Sequence, residues 1–219
     1  MNLREKTIGG LHDYLLERVL PRYAVPGGRA IDLGAGTGAL AVRLGEQGWN
    51  VLAVDNNQTD FGAPLPFVAI DLDDADFPAR VPEADFDLVT AVEVIEHMEA
   101  PIQFLRSVAR LLKPTGVAVL TTPNVDNAAA RVKFLLKDEL RMMDRVSDAT
   151  HISPIFWDLF TRQYLPRARL QLVEHCLYPP RGFKVTRARY AWAMRLLGLV
   201  LPGTAVLGDN HVFVLRPEC

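Results

Sequence analysis

The sequence contains little cysteine, no long hydrophobic run and almost no net charge, and each shortage excludes a class of protein. Its two cysteines, Cys176 and Cys219, match no metal-binding or redox spacing, so we expect no disulfide framework. The first ten residues lack the apolar core of a signal peptide, and the most apolar stretch, residues 188–207, is interrupted by arginine, proline and glycine. We therefore expect a cytoplasmic protein without a transmembrane helix.

The charges nearly cancel over the whole chain but separate along it. There are 24 Lys/Arg and 26 Asp/Glu, which gives a formal net charge of −2. Residues 55–99 are strongly acidic, with Arg80 as their only base, whereas bases outnumber acids in residues 129–195. Two interpretations remain open, namely two solvated surfaces of opposite sign or a basic half that binds an anionic substrate.

Short apolar runs alternate with segments of helical period across most of the 219 residues. The predicted strands are 29–33, 51–55, 67–71, 86–92, 117–122, 170–177 and 211–215. The predicted helices are 4–23, 39–47, 96–112, 127–137, 153–165 and 190–201. This alternation indicates a doubly wound α/β domain whose parallel strands are buried on both faces. The chain length suits one such domain.

A glycine-rich turn follows the first predicted strand. Asp32 lies near the end of that strand, and Gly34, Ala35, Gly36 and Gly38 precede the next helix. Glycines at these positions let the backbone turn tightly and approach a nucleotide-like ligand, a pattern that also occurs in dinucleotide-binding proteins. The carboxylate of Asp32 would repel a pyrophosphate, so it favours a ligand with a positive charge or a free amino group.

Two further acidic residues end predicted strands downstream of this turn. They are Asp55, followed by Asn56, and Asp71, followed by Leu72. Together with the glycine turn, these segments resemble the cofactor-binding motifs of class I S-adenosylmethionine-dependent methyltransferases. The resemblance implies that Asp55 accepts hydrogen bonds from ribose hydroxyls and that Asp71 and the backbone of Leu72 contact the adenine.

The exit of the fourth predicted strand carries a second specific motif. The segment Glu93–His97 (EVIEH) resembles the small-molecule methyltransferases that include the ubiquinone-biosynthesis O-methyltransferases. The similarity is strong over residues 28–125 and weak over 208–215. It implies a Rossmann-like, doubly wound, mostly parallel seven-stranded sheet with helices on both faces and a C-terminal lid insertion. It also implies S-adenosylmethionine as the cofactor, with Glu93 beside it.

The resemblance divides the single domain into four parts. These are an N-terminal helix (1–25), a cofactor-binding core (28–125), an acceptor pocket and lid (126–207) and a closing strand (208–219). Within the third part, apolar residues are interspersed with basic ones; the apolar set is Phe134, Met142, Met143, Ile155, Phe156, Trp157 and Trp192, and the basic set is Arg131, Lys133, Arg141 and Arg145. The mixture predicts an acceptor with a hydrophobic body and an anionic group. Helix 190–201 is alternatively a dimer contact or a membrane-surface contact, and residues 138–152 are expected to be the most mobile.

Methyl transfer to a hydroxyl group is helped by a general base, and two histidines are candidates for it. We expect His97 or His151 to act in this way, because imidazole titrates near neutral pH, and we expect no tightly bound metal. A sharper alternative remains. Glu93, Glu96, His97 and His151 follow the ligand order of the small-RNA 3′-terminal 2′-O-methyltransferases, which hold a divalent metal on two Glu and two His.

Several functions therefore remain candidates. The leading one is methyl transfer from S-adenosylmethionine to a small-molecule, sugar or lipid-like acceptor, with oxygen as the expected acceptor atom. The alternatives are a metal-assisted RNA methyltransferase, a nicotinamide-dependent oxidoreductase and a binding module without catalysis. The expected partner is the small-molecule acceptor; a nucleic acid is not expected, contact with a membrane surface is left open, and the sequence gives no oligomeric state.

Overall fold

The computed structural model describes residues 3–186, 188–201, 203 and 205–218, and at residues 188 and 189 it describes the backbone alone. Of the two cysteines, Cys176 carries a free thiol, and Cys219 lies outside the described residues.

Seven strands form one sheet in the order β3-β2-β1-β4-β5-β7-β6. The strands are β1 (Arg29–Leu33), β2 (Asn50–Asp55), β3 (Phe67–Ala69), β4 (Phe86–Val92), β5 (Leu112–Pro123), β6 (Leu170–Tyr178) and β7 (Asn210–Pro217). Strands β1 to β5 pair in parallel, and β7 runs antiparallel to both β5 and β6. The predicted Rossmann-like, mostly parallel seven-stranded sheet is confirmed.

The helices follow the strands in the expected alternation. They are α1 (Leu11–Tyr14), α2 (Ala39–Glu46), α3 (Phe77–Arg80), α4 (Pro101–Leu111), α5 (Ala128–Lys137), α6 (Trp157–Leu159), α7 (Leu165–Ala168) and α8 (Ala188–Gly198). A π-helical turn, Leu15–Val19, and a 3₁₀ turn, Leu20–Arg22, extend α1, and a second π-helical turn, Phe160–Tyr164, joins α6 to α7. A further 3₁₀ turn, Ile95–His97, precedes α4.

Apolar residues on both faces of the sheet are buried. On one face, Ile31 and Val89 belong to a core cluster that includes Phe104 of α4. On the other, the neighbouring strand residues Ala30 and Leu88 pack in a cluster with helices α1 and α2. Successive residues of a strand point to opposite faces, so two clusters drawn from alternate positions mean that both faces are covered. Helices on both faces are thereby confirmed.

The N-terminal helix begins later than predicted. It was expected from residue 4, but it starts at Leu11, after Gly9 and Gly10. Gly10 has φ 79°, a left-handed conformation that interrupts a right-handed helix. The preceding residues instead contact the glycine-rich turn, where the Thr37 hydroxyl donates to the Arg4 carbonyl.

Ser153 does not cap a helix, contrary to the prediction of a helix over 153–165. Its hydroxyl donates to the Met98 carbonyl at 2.6 Å, and its N–H donates to the Glu96 carbonyl at 2.9 Å. The helix starts at Trp157, whose N–H donates to a carboxylate oxygen of Asp126 at 2.6 Å. A tertiary contact has replaced the local cap.

Two other boundaries differ from the prediction. The helix predicted over 96–112 is divided, because Pro101 occupies the first turn of α4 and the residue before a proline disfavours helical backbone. The strand predicted over 117–122 begins earlier, at Leu112, and its pairing with β4 is irregular because the register shifts between Phe86 and Leu88. In the predicted lid region, residues 170–178 form the sheet-edge strand β6.

Among the described residues, no helix is both long and apolar enough to cross a membrane.

Candidate active site

A cavity of about 700 Å³ opens beside the carboxyl ends of β1, β2 and β4. Parallel strands end on the same side of a sheet, so residues that follow them in sequence converge there. Eleven of the predicted site residues line this cavity: Asp32, Gly34, Ala35, Gly36, Asp55, Asn56, Asp71, Leu72, Glu93, His97 and His151. Gly38 is not among the lining residues; it precedes α2 with φ 84°, close to Phe61 and Ala63.

The glycine turn after β1 has the backbone conformation that the sequence requires. Gly34 and Gly36 have φ of 69° and 53°, which side-chain-bearing residues rarely adopt. A Cβ on Gly34 would also lie 2.5 Å from a methyl group of Val94. The N–H groups of Gly34 and Ala35 donate to the Val54 carbonyl, which fixes the turn against β2.

Asp55 ends β2 and connects the two loops at this edge. One carboxylate oxygen accepts the Gly36 N–H at 2.8 Å, and the other accepts the Asn57 N–H at 2.9 Å. A carboxylate oxygen has lone pairs for more than one donor, so both oxygens can still accept a ligand hydroxyl. The side chain is therefore held in place while it faces the cavity.

Asp71 and Leu72 lie in the loop after β3. One carboxylate oxygen of Asp71 accepts the Asp73 N–H at 3.0 Å, which closes a local turn, and Asp71 is otherwise exposed. Leu72 is buried at the cavity wall. An apolar wall beside an exposed carboxylate suits a flat ring that carries an amino group.

Asp32 lies at the cavity floor, only 2% exposed. Its carboxylate accepts a hydrogen bond from the Thr90 hydroxyl at 2.7 Å. Burial raises the pKa of Asp32 to about 7, with the charge of Asp55 acting in the same direction and the Thr90 hydrogen bond opposing it. A ligand ammonium group near this carboxylate would favour its charged form.

Glu93 leaves β4 in a left-handed conformation, with φ 58°. Its carboxylate accepts hydrogen bonds from the Thr121 hydroxyl at 2.9 Å and from the Asn210 amide at 2.5 Å. Burial raises the pKa of Glu93, and the two hydrogen bonds partly offset that effect. A non-glycine residue at positive φ costs about 1–3 kcal/mol, and such strain is characteristic of functional sites.

His97 and His151 lie with their ring centroids 4.7 Å apart, edge to face. The His97 Nδ1 is 3.1 Å from the Thr150 carbonyl and 2.9 Å from its hydroxyl, which itself donates to Asp148. The His151 Nδ1 is 2.8 Å from the Met142 carbonyl. Because a carbonyl only accepts hydrogen bonds, the Nδ1 of each ring is assigned a proton. In the neutral form of either ring, Nε2 then carries the lone pair, and it has no hydrogen-bond partner among the described residues.

Burial, and after it the neighbouring His151, lowers the pKa of His97, so this imidazole is neutral at physiological pH. A neutral ring with a free nitrogen can accept a proton or bind a metal ion.

Glu96 completes this group. It is fully buried, and neither carboxylate oxygen has a hydrogen-bond partner among the described residues. Burial, reinforced by the charge of Glu93, raises the pKa of Glu96 well above its usual range. One ligand atom from each of Glu96, His97 and His151 lies within 4.8 Å of the others, an arrangement that could hold a metal ion.

The sequence reasoning did not assign several residues that line the same cavity. Lys6 and Thr7 bring the N-terminal segment to it, and Lys6 pairs at 2.6 Å with Asp60, which lies in the loop between β2 and β3. Asp148 and Thr150 come from the segment before His151. No local pattern marks these residues, because only tertiary contacts bring them to the cavity.

Comparison with known proteins identifies the kind of site that these residues form. The model of a family described as a methyltransferase domain matches residues 4–199. The chain belongs to this methyltransferase family. The match decides against the nicotinamide oxidoreductase that the glycine spacing alone also allowed.

Individual relatives give the same assignment. A ubiquinone biosynthesis O-methyltransferase from Xanthomonas campestris is 30% identical over 135 residues, which are 57% of this chain and 55% of that protein. The chain spans about half the length of the relatives of this kind that it matches.

Solved structures share the fold of the whole domain. A SAM-dependent methyltransferase from Archaeoglobus fulgidus has a TM-score of 0.62 at 17% identity, covering 94% of this chain and 92% of that one. The 1,6-didemethyltoxoflavin-N1-methyltransferase from Burkholderia thailandensis, solved with S-adenosylhomocysteine, has a TM-score of 0.60 at 18% identity, covering 96% and 80%. These similarities establish the architecture of a class I methyltransferase.

The cavity fits S-adenosylmethionine, the cofactor of this class. Its volume of about 700 Å³ is in the range of nucleotide-sized sites. Asp55 offers acceptors suited to ribose hydroxyls, and the buried carboxylate of Asp32 suits the positively charged amino group of the methionine part.

Proposed function

We propose that the protein transfers a methyl group from S-adenosylmethionine to the oxygen of a small, lipid-like acceptor. The observation that supports an oxygen acceptor is the pair of imidazoles, His97 and His151, which line the cavity together with the half-buried Glu93 and lie beside the fully buried Glu96. When bound, the cofactor supplies an activated methyl group on a sulfonium. The protein then has to orient the acceptor and remove a proton from its hydroxyl group.

In this proposal Asp32, Gly34, Ala35, Gly36, Asp55, Asn56, Asp71, Leu72 and Glu93 bind the cofactor. His97 or His151 accepts the hydroxyl proton at Nε2. The Thr150–Asp148 hydrogen bonds stabilise the charged form of His97, because they run from its Nδ1 to a carboxylate. Residues 126–207 contribute the acceptor pocket, with β6 as a part of the sheet.

The first experiment measures methylation of a panel of small, lipid-like hydroxyl compounds, alcohols and phenols, by mass spectrometry in His97→Asn and His151→Asn variants. A positioned general base contributes about 10²–10⁴-fold, so the variant that lacks it should be slower by that factor while its affinity for S-adenosylhomocysteine is unchanged. His175→Asn is the control, because His175 on β6 does not line the cavity. Wild-type rates in both site variants would refute the base assignment.

A metal-assisted transfer is the second candidate, and the Glu96–His97–His151 group favours it specifically. Two imidazole nitrogens and a carboxylate suit a divalent transition metal. In both histidines the Nδ1–H group donates to a backbone or hydroxyl oxygen, as metal-bound histidines do with the nitrogen that does not bind the metal. The ion would lower the pKa of the acceptor hydroxyl in place of a general base.

Glu96→Gln separates the two candidates. Without a metal, Glu96 has a strongly raised pKa, so the neutral glutamine should leave the transfer rate within a few fold. If Glu96 is a metal ligand, elemental analysis should find stoichiometric metal in the wild type and not in the variant. After chelation, added metal should restore activity to the wild type and not to the variant. An RNA oligonucleotide with a free 3′ end, tested beside the phenols, decides whether the metal-assisted reaction is that of an RNA methyltransferase.

An exposed apolar patch supports a lipid-like acceptor that is reached from a membrane surface. Helices α5 and α8 contact each other. The patch consists of the mostly exposed side chains Phe134, Leu135, Leu136, Trp192, Leu196, Leu199 and Val200. Between His175 and Gly208 the sequence has five bases and no acid: Arg181, Lys184, Arg187, Arg189 and Arg195. A segment whose sequence combines exposed apolar residues with an excess of bases matches the interface of an anionic bilayer.

Sedimentation with vesicles tests this contact. Vesicles containing phosphatidylserine should bind the wild-type protein, uncharged phosphatidylcholine vesicles should bind it weakly, and Trp192→Ala with Leu196→Ala should abolish binding. Binding that is absent from both vesicle types, together with a concentration-dependent dimer in sedimentation velocity, would refute the membrane contact and assign the patch to a second copy.

A further inference from the structure

A buried ion pair outside the cavity is connected to His151 through one residue of backbone. Arg141 donates from Nη2 to a carboxylate oxygen of Asp209 at 2.7 Å, and the two side chains are 11% and 0% exposed. The other carboxylate oxygen of Asp209 accepts the N–H groups of Lys184 at 2.5 Å and of Val185 at 3.1 Å. Asp209 is therefore held by three hydrogen-bond donors, and its ion pair with Arg141 fixes the position of the Arg141 side chain.

The residue after Arg141 holds His151. Met142 has φ 69°, a left-handed conformation that a methionine rarely adopts, and its carbonyl is 2.8 Å from His151 Nδ1. Such a conformation persists only where surrounding contacts hold it. Two contacts are available here. The Leu140 carbonyl accepts the Met143 N–H at 3.2 Å across the turn, and the adjacent Arg141 is held by its ion pair with Asp209 and by a hydrogen bond to the Thr186 hydroxyl at 3.2 Å. Without the buried ion pair, the Met142 carbonyl loses the stronger of these contacts and can turn away from the imidazole.

The beginning of β7 thus supports the site on two sides. Asp209 holds Arg141, while the next residue, Asn210, donates its amide to Glu93 at 2.5 Å. Through these two adjacent residues, one segment of the chain supports both Glu93, which follows β4, and His151, which lies in the segment after α5.

We propose that Arg141 and Asp209 are positioning residues that hold the Met142 carbonyl against His151 and so keep the free Nε2 of His151 available to the cavity. Which imidazole nitrogen carries the proton is set by the hydrogen bond of the other nitrogen. The proposal rests on the proposed function for its effect on turnover, whereas the tautomer of His151 can be measured without any reaction.

The test is the His151 tautomer in ¹⁵N-histidine-labelled protein, read from long-range ¹H–¹⁵N correlation spectra at pH 8. Wild-type protein should show the proton on Nδ1. Arg141→Met should show it on Nε2, or exchange between the two, and Arg141→Lys, which retains a donor for Asp209, should restore the wild-type pattern. The rate of methyl transfer should fall about tenfold or more in Arg141→Met, while the dissociation constant of S-adenosylhomocysteine stays within about twofold.

Two further variants keep the test decisive. Lys133→Met is the matched control, because Lys133 pairs with Asp144 in the same segment and its loss should leave the tautomer unchanged. Arg141→Met combined with Asp209→Asn removes both charges, so a folded protein is obtained even if an unpaired buried Asp209 prevents folding of the single variant. A wild-type tautomer in the folded Arg141 variants would overturn the proposal. A shifted tautomer with unchanged turnover would instead refute the base role of His151.

Discussion

Replacing Asp32 by asparagine tests how a buried carboxylate selects a positively charged ligand. The change keeps the size of the side chain and an oxygen that can accept the Thr90 hydroxyl, but it removes the titratable group. Burial raises the pKa of Asp32 from 3.8 to about 7, so the folded protein binds a proton that the unfolded chain has already released between pH 4 and pH 7.

The sign of the pH effect follows from that difference. Because the folded state binds more protons in this window, the free energy of unfolding falls as pH rises from about 4 to about 7 and then levels off. A tenfold change in the proton-binding constant corresponds to about 1.36 kcal/mol, so the rise of the pKa from 3.8 to about 7 sets an upper limit of about 4 kcal/mol. Asp32→Asn should remove this component, and the variant should therefore be the more stable protein at pH 8.

Ligand binding should respond in the opposite direction. An ammonium group beside Asp32 favours the ionised carboxylate, so the affinity for S-adenosylhomocysteine should rise between pH 6 and pH 8, with up to one proton released per ligand. In Asp32→Asn the affinity should be weaker at pH 8, and the Asp32-dependent part of the pH response should be absent.

Urea denaturation and titration calorimetry, each at pH 5 to 8, measure the two effects. Calorimetry in buffers of different ionisation enthalpy counts the released protons. The difference between wild type and variant isolates Asp32, because His12 and His97 titrate in both proteins. Parallel pH curves for the two proteins, in stability and in affinity, would refute the assignment of Asp32 as the charged acceptor.

Three other substitutions have defined outcomes. Gly34→Ala should lower the free energy of unfolding by roughly 1–3 kcal/mol in urea, because of its positive φ and the contact with Val94, whereas the helical Gly45→Ala control should be neutral or stabilising. Asp55→Ala should weaken S-adenosylhomocysteine binding roughly 10- to 100-fold in calorimetry, since each charge-assisted hydrogen bond contributes about 1.5–3 kcal/mol, and unchanged affinity would exclude Asp55 from the ribose site. Asn127→Ala should cost about 1 kcal/mol or more by thermal denaturation, because it removes the α5 cap to Ala130 and the amide hydrogen bonds to the Asn124 and Gly208 carbonyls; an unchanged melting temperature would contradict this.

Local signals in the sequence were sufficient for the strands of the sheet and for the eleven predicted residues that line the cavity. Apolar runs that end in Asp32, Asp55 or Asp71 identify buried parallel strands together with the residues at their carboxyl ends. Because parallel strands end at one edge, their order along the chain already predicts that these side chains meet. The glycine turn is equally local, since its φ angles depend on the residues of the turn itself.

Tertiary contacts decided the features that the sequence could not specify. Ser153 resembles a helix cap, but a stronger set of partners, the carbonyls of Met98 and Glu96, occupies it in the folded chain. The conformation of Met142 and the free nitrogen of His151 depend on Asp209, which is distant in sequence. Hydrogen bonds between remote segments leave no periodic pattern, so only the packed structure shows which nitrogen faces the cavity and which residues hold it there.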